Sequence, residues 1–340
     1  TGLVVLHENF NDKMKNFNTA DIREHFLLTR QVQDTAQGLQ ITLWLKSDLG
    51  VIKLQVDNEL ALFFIEHQHL SIAEQLLIDQ GIALQKSQQL SLKTFAQQKV
   101  AALYFTSMRS FYRAREVLKN HQIKCYEDDI RPDDRFLMER HITADISYIG
   151  EQHYVDNNQQ RYQLIKQAKC KRANKQHHNN LTMLSIDIEC SMQGELFSIG
   201  LYAFNHNTQH DNADKGEEFK RVLMIGEPQA DCEPYIHWQA DERQLLLRFI
   251  DEINVFDADI VIGWNVINFD FKLLQKRCDL HGIRFAIGRD GAVPYWRKNT
   301  NNPEQNFIEI AGRVVLDGID LLKTATYNFP SFSLDNVSHT

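Results

Sequence analysis

A chain of 340 residues has room for two domains of ordinary size. With 43% hydrophobic and 24% charged residues it reads as a soluble globular protein, and no apolar run approaches the ~18 residues of a membrane span. The net charge of −8 gives no support to a nucleic-acid binder, but it is unevenly spread: residues 1–178 carry 23 basic and 21 acidic side chains, the remainder 14 and 24. An acidic domain that gathers cations can still accept an anionic polymer, because bound ions reverse the local sign. Cys125, Cys170, Cys190, Cys232 and Cys278 are scattered without a C-x-x-C pair, which points to free thiols in a reducing cytoplasm and excludes a zinc or disulfide framework. No signal-peptide pattern opens the chain, and its first residue is Thr, so the natural start is expected further upstream.

Residues 1–25 are mixed and polar and receive no assignment. Residues 26–34, 41–48 and 51–57 read as three strands, with Gly38 marking one turn and Asp48-Leu49-Gly50 a hairpin. Ser71-Ile72-Ala73-Glu74 has the form of a capping box ahead of a helix that ends near Gly81. A strand follows at 101–106. Then comes a helix over 107–121 with Phe111, Ala114 and Leu118 as its buried stripe, and a strand at 123–127. One or two helical turns are expected over 133–140. Together residues 26–156 make a small α/β N-terminal domain. Arg109, Arg113, Arg115 and Lys119 read as the solvated face of its second helix, with phosphate contact as the alternative. Residues 157–180, rich in Gln, Asn and Lys and free of acids, read as a basic linker.

From Thr182 the pattern changes. Strands are expected at 182–189 and 195–204 around a turn at Gly194, then at 219–225 after a polar loop over 205–218. A helix over 241–256 buries Leu245, Leu246, Phe249, Ile250 and Ile253. A strand at 260–264 leads to a helix from Phe269 with Phe271, Leu274 and Cys278 on one face and Gly282 at its stop. A polar loop near 288–306, a strand at 313–316 and a helix near 320–325 follow, and Ser333 caps one more helix. Three antiparallel strands followed by alternating helices and strands fit a ribonuclease-H-like α/β fold over 181–340.

Chemistry concentrates in two stretches. In Leu184-Ser-Ile-Asp-Ile-Glu189 the alternation is that of a strand, so Asp187 and Glu189 share a face, ~7 Å apart along the strand. Two such carboxylates are costly unless a cation sits between them, and hard oxygen donors suit Mg²⁺ or Mn²⁺. The plain alternative is an exposed strand end with two solvated acids. In Asn265-Val-Ile-Asn-Phe-Asp270 a third acid leads a helix. A first-turn Asp favoured by the helix dipole explains that equally well. His67, His69, His177 and His178 lack ligand spacing and are set aside as a metal site.

These two stretches resemble the first two motifs of the 3′–5′ proofreading exonuclease of family B DNA polymerases. Phe26-Leu-Leu-Thr-Arg30, Asp129-Ile-Arg-Pro132, Arg135-Phe-Leu-Met-Glu-Arg140, Ile262-Gly-Trp-Asn265, Gly312-Arg-Val-Val-Leu-Asp-Gly-Ile319 and Ser331-Phe-Ser-Leu334 narrow the likeness to the bacterial polymerase II type, from about Phe26 onward. The resemblance implies an RNA-recognition-type fold in the N-terminal domain. It also implies two-metal hydrolysis of the 3′-terminal phosphodiester of DNA. Asp187 would bridge two Mg²⁺ or Mn²⁺ ions, Glu189 would bind one and orient the water, and Asp270 would hold the second. Asn265 would support the strand end, and Phe269 would pack in the core. The third exonuclease motif, with a Tyr and an Asp, is expected downstream and does not occur before Thr340. Asp317 and Asp320 lie in a stretch that resembles a structural part of the family. The chain is therefore read as the N-terminal and proofreading part of a larger DNA-directed DNA polymerase, cytoplasmic and nucleoid-associated, inactive or impaired as a nuclease by itself. Its implied partners are the single-stranded 3′ end of DNA, the remaining polymerase domains and, as a further candidate, a sliding clamp. No membrane partner is expected. A non-catalytic nucleic-acid-binding module of the same fold is the competing reading. Binding that persists in chelator, with no hydrolysis, would identify it.

Overall fold

The computed structural model describes residues 23–48, 50–157, 160–174, 180–204, 218–299, 302 and 305–339. Residues 1–22, the loop 205–217, and His177 and His178 of the histidine reading lie outside them. The chain divides into two compact units, the first running broadly through the N-terminal half and the second from residue 179 onward.

The first unit combines a barrel and an open sheet. Strands β1 (Arg23–Thr35), β2 (Gly38–Ser47) and β3 (Gly50–Glu59) form the expected meander. After an insertion, β8 (Asp145–Asn157) and β9 (Gln160–Arg172) close it, β8 pairing antiparallel with β1 and β9 parallel with β3. The expected basic linker is thus corrected: most of it is β9. Tyr162, Ile165, Ala168 and Cys170 are its buried positions, while Arg161, Lys166 and Arg172 are exposed and Lys169 and Lys171 half-buried. The alternation lay beneath a polar composition, and one of its two partner strands, β3, is about a hundred residues upstream, where local reading does not reach.

The insertion carries β4 (Ala61–Glu66), α1 (Leu70–Asp79), β5 (Lys86–Lys93), β6 (Lys99–Phe105), α2 (Met108–Asn120), β7 (Cys125–Tyr126) and α3 (Pro132–Glu139). Its sheet order is β5-β6-β4-β7, the split β-α-β arrangement of the RNA-recognition type. Ser107 caps α2, and Phe111, Ala114 and Leu118 are buried as the spacing requires. The capping box at Ser71 is not used: the N-cap lies two residues earlier, at His69, with no side-chain cap. Helices cover one sheet face through Phe63, Ile65, Leu103 and Phe105. The other face is also apolar and buried, through Leu62, Phe64, Leu90, Val100, Ala102 and Tyr104, with the Arg135 guanidinium 5.3 Å from the Phe64 ring. A sheet covered on both faces offers no open aromatic platform for bases. Arg115 and Lys119 of α2 pair with Asp128, in keeping with a structural and solvated face.

The second unit is built on β10 (Met183–Cys190), β11 (Leu196–Phe204), β12 (Glu218–Ile225), β13 (Ile236–Gln239), β14 (Ile260–Gly263) and β17 (Val314–Asp317), in the order β13-β12-β11-β10-β14-β17. β10 to β12 are antiparallel, and β14 and β17 add parallel beside β10. That is the ribonuclease-H-like arrangement, with β10 at its centre. Helix α4 (Glu242–Phe256), capped by Asp241, and α5 (Lys272–Leu280) bury Leu245, Phe249, Ile253, Leu274 and Cys278 against the sheet. The short pair β15 (Tyr295–Lys298) and β16 (Asn306–Glu309), within the expected polar loop, was not legible locally. Helices α6 (Gly318–Thr324) and α7 (Leu334–Ser338), the latter capped by Ser333, follow β17. No helix among the described residues is long and apolar enough to cross a membrane.

The N-terminal ends of β14 and β17 meet in a buried ionic knot. Arg289 donates to Asp257 and Asp259 carboxylates at 2.8 Å each, and to the Gly312 carbonyl at 2.8 Å. Arg313 reaches Asp257 at 2.9 Å and the Ala258 carbonyl at 2.8 Å. The second oxygen of Asp259 accepts from the Thr182 amide at 2.9 Å, tying β10 to β14 where the sheet begins.

Candidate active site

The alternation in β10 places Leu184, Ile186 and Ile188 in the core and leaves Asp187 and Glu189 exposed on the opposite face. β14 pairs with β10 only over Met183–Ser185, so the acid-bearing half of β10 has no strand on that side. The chain turns away at Gly263, where a Cβ would meet the Ile186 carbonyl and the Val266 side chain at 2.8 Å each. Asn265 follows at φ 56, a left-handed conformation that Asn tolerates better than most residues. Its role is first of all to make this turn. The turn becomes one π-helical turn, Ile267–Phe271, that runs into α5. Such turns occur often at functional sites.

Ile267 and Phe271 are buried, and Asp270 is 2% exposed. Burial pushes the Asp270 carboxyl up, the nearby Asp187 charge pushes it further, and Asp317 adds to this. Backbone amides of Asp270 and Ile188 act the other way, and the result is about 7. One carboxylate oxygen of Asp270, Oδ1, is buried without a hydrogen-bond partner. Asp270 therefore lies beside β10 and close to Asp187, as a site shared between the two stretches requires. Glu189 is on the same face of β10, one pleat further on. Among the described residues no group of three His, Cys, Asp or Glu side chains is arranged to hold a metal ion. An orphaned buried carboxylate oxygen beside a second acid nevertheless suits a hard divalent cation, which would satisfy the oxygen and the repulsion together.

Phe269 is 45% exposed and does not pack in the core. Ile267 and Phe271, four residues apart, take the inward face, and the position midway between them faces out. On the other side of the turn, Asn265 and Asn268 line a pocket of about 320 Å³ with Gln305, Asp320, Lys323 and Phe332. The Asn268 side chain also accepts from the Asn306 backbone amide at 2.9 Å, holding β16 to the turn.

Two residues outside the expected set shape the site. Asp317 is 3% exposed and accepts from the backbone amides of Ile267 at 3.0 Å and Ile319 at 2.9 Å. Glu242, in the first turn of α4, accepts from the Leu196 amide at 2.9 Å and Arg277 Nε at 2.6 Å, and lies 2.8 Å from His281 Nε2. It anchors the start of β11, whose pairing with β10 is bulged beside Glu189. Neither contact could be read from local pattern, because each joins segments tens of residues apart. Burial works to raise the Glu242 pKa, but hydrogen bonds from Arg277, Leu196 and His281 outweigh it and hold the carboxyl at about 2. A depressed acid contributes stability above its unfolded value and loses it as pH falls toward the folded value. Glu242→Gln is therefore expected to cost about 2 kcal/mol at pH 7, and the difference from the parent should shrink between pH 4.5 and 2. Chemical unfolding across that range measures it.

Comparison with known proteins agrees with this architecture. Residues 123–337 match the family described as DNA polymerase family B, exonuclease domain, and residues 25–59 match DNA polymerase II, N-terminal. The chain belongs to the family B DNA polymerases. It is 32% identical over 317 residues to DNA polymerase II of Escherichia coli (strain K12), across 92% of this chain and 37% of that protein. A DNA polymerase of Thermococcus sp. (strain 9oN-7) is 30% identical over 158 residues, 46% of this chain and 19% of that one. The solved structure of the family B DNA polymerase from Pyrobaculum calidifontis superposes with a TM-score of 0.67 at 15% identity, over 93% of this chain and 39% of that chain, which supports the fold. The chain thus spans well under half the length of these relatives.

Proposed function

We propose that this chain is the N-terminal and proofreading part of a DNA-directed DNA polymerase, and that its second unit removes nucleotides from the single-stranded 3′ end of DNA. The observation that carries the reading is the unpartnered buried oxygen of Asp270, held beside Asp187 at the free side of β10. Asp187, Glu189 and Asp270 are the residues to hold divalent cations, Mg²⁺ or Mn²⁺. When bound, such cations supply positive charge to the phosphodiester and make water more acidic. Exposed on β10, Asp187 and Glu189 can face the phosphodiester from one side, and Asp270 limits the approach from the other. Phe269 stands exposed next to Asp270, where its ring can stack on the terminal base, an interaction worth about 1–3 kcal/mol per base and indifferent to base identity. That suits an enzyme that must remove any nucleotide.

The five cysteines are free thiols, which supports a reducing cytoplasm as the working compartment. The remaining polymerase domains and a sliding clamp belong to the same reading as partners and rest on the family alone. The family resemblance implies a third motif with a Tyr and an Asp that residues 1–340 do not contain, so the purified chain by itself is expected to digest a labelled single-stranded oligonucleotide poorly. The decisive comparison uses the full-length polymerase: Asp187→Ala should lower 3′ digestion by at least about a hundredfold, as loss of a charge-stabilising group does, while nucleotide addition stays near normal. If both activities fall together, Asp187 is structural and the proofreading assignment fails.

A further inference from the structure

We propose that Asp317 is a positioning residue for Asp270, fixing from β17 the turn that carries it. This rests on the nuclease reading above, and it assigns work to a residue that the motif pattern leaves out. The argument starts with the turn itself. The first amides of any helix have no partner within it. Neither Val266 at the N-cap nor any flanking side chain caps the turn Ile267–Phe271. The missing acceptor comes from fifty residues away: Asp317 Oδ2 accepts from the Ile267 amide at 3.0 Å. The parallel register that sets Gly263 opposite Asp317 puts this carboxylate next to the start of the turn. The other oxygen accepts from the Ile319 amide at 2.9 Å and so caps α6.

One carboxylate therefore joins two helical starts, and the turn it holds presents Asp270 three residues later. The neighbouring position is built for close approach. A Cβ at Gly318 would meet the Trp264 ring at 2.8 Å, and that indole donates to the Phe332 carbonyl at 3.0 Å. Both oxygens of Asp317 are engaged by amides, which distinguishes it from Asp270 with its open oxygen. A hydroxyl would cap α6 as well as a carboxylate does. It is the second oxygen, reaching Ile267, that an uncharged cap would lack, and an acid is kept here although its charge adds to the repulsion around Asp270.

Asp317→Ser separates the two contacts, since Ser retains the cap on Ile319 and is too short to hold Ile267 as well. In the 340-residue chain, amide exchange over Ile267–Phe271 is expected to speed up at least tenfold in this variant, with α6 and the strands β10, β14 and β17 keeping their protection. Mn²⁺ affinity, followed by the paramagnetic resonance of the free ion, should fall roughly 10- to 100-fold, as when a partner of a ligand is removed. Unchanged exchange over Ile267–Phe271 overturns the proposal, and so does a uniform loss of protection across the sheet, which would mark a general structural role. If the Ser variant fails to fold, Asp317→Asn, with one acceptor oxygen and similar volume, decides by the same measurement. A parent chain that takes up no Mn²⁺ would sink the metal site but leave the exchange result to decide the positioning role.

Discussion

Replacing Asp270 by Asn is expected to make this chain more stable while weakening the cation binding proposed for it. Asp270 is the one group whose native surroundings oppose its charge most plainly: it is buried, it faces Asp187, Asp317 adds to the repulsion, and its pKa rises to about 7. The sign follows from proton linkage. Between the unfolded value of 3.8 and about 7 the folded chain binds the proton and the unfolded chain does not, so stability falls as pH rises through that window. The penalty carried by Asp270 is about 1.5 kcal/mol at pH 5 and about 4 kcal/mol at pH 8, both as upper figures. Asn keeps an oxygen for the Ile188 amide and carries no charge. Urea unfolding in chelator at pH 5 and pH 8 should show the variant ahead at both, and further ahead at pH 8. Added Mn²⁺ should reverse the order by stabilising only the parent, since a ligand of the native state raises stability by mass action. An Asn variant less stable than the parent at pH 8 would mean that the carboxylate is already well compensated, and the case for a cation there would be lost.

Arg289→Ala is expected to destabilise the second unit by about 3–5 kcal/mol. The guanidinium is 4% exposed and serves two carboxylates and three carbonyls, those of Asp257, Ala258 and Gly312. Removing it takes from Asp259, which is fully buried, the guanidinium that donates to its Oδ1. Arg313 is already engaged by the Asp257 carboxylate at 2.9 Å and the Ala258 carbonyl at 2.8 Å. The double variant Arg289→Ala/Asp259→Asn should recover part of the loss, because the buried charge that Arg289 served then disappears with it. Thermal and chemical unfolding measure both. Loss below about 1 kcal/mol for the single variant would show that water replaces the guanidinium at low cost.

The two variants draw on opposite ends of one sheet. At the ends where β14 and β17 begin, charges are paired in full and hold the strands together. At the ends where they finish, the charges of Asp187 and Asp317 act against that of Asp270. The first arrangement contributes stability and the second spends some of it, in keeping with the cation site proposed above.

Periodicity alone determined a good deal here. The strand alternation of Leu184–Glu189 settled which residues of β10 face the core and that Asp187 and Glu189 share a face. The spacing of Phe271, Leu274 and Cys278 gave the buried side of α5, and Ser107 and Asp241 marked where α2 and α4 begin. Each of these depends on contacts within one turn or one pleat, which the local order of residues dictates. The tertiary structure alone decided the rest: that the supposed linker is the closing strand of a barrel, that the RNA-recognition-type sheet is covered on both faces, that Phe269 points out, and that Asp317 and Glu242 hold the site's segments in place. Those outcomes rest on pairings between residues tens to more than a hundred positions apart. They depend on which distant segment supplies a partner for a bare strand edge or a buried amide, and no window of neighbouring residues carries that information.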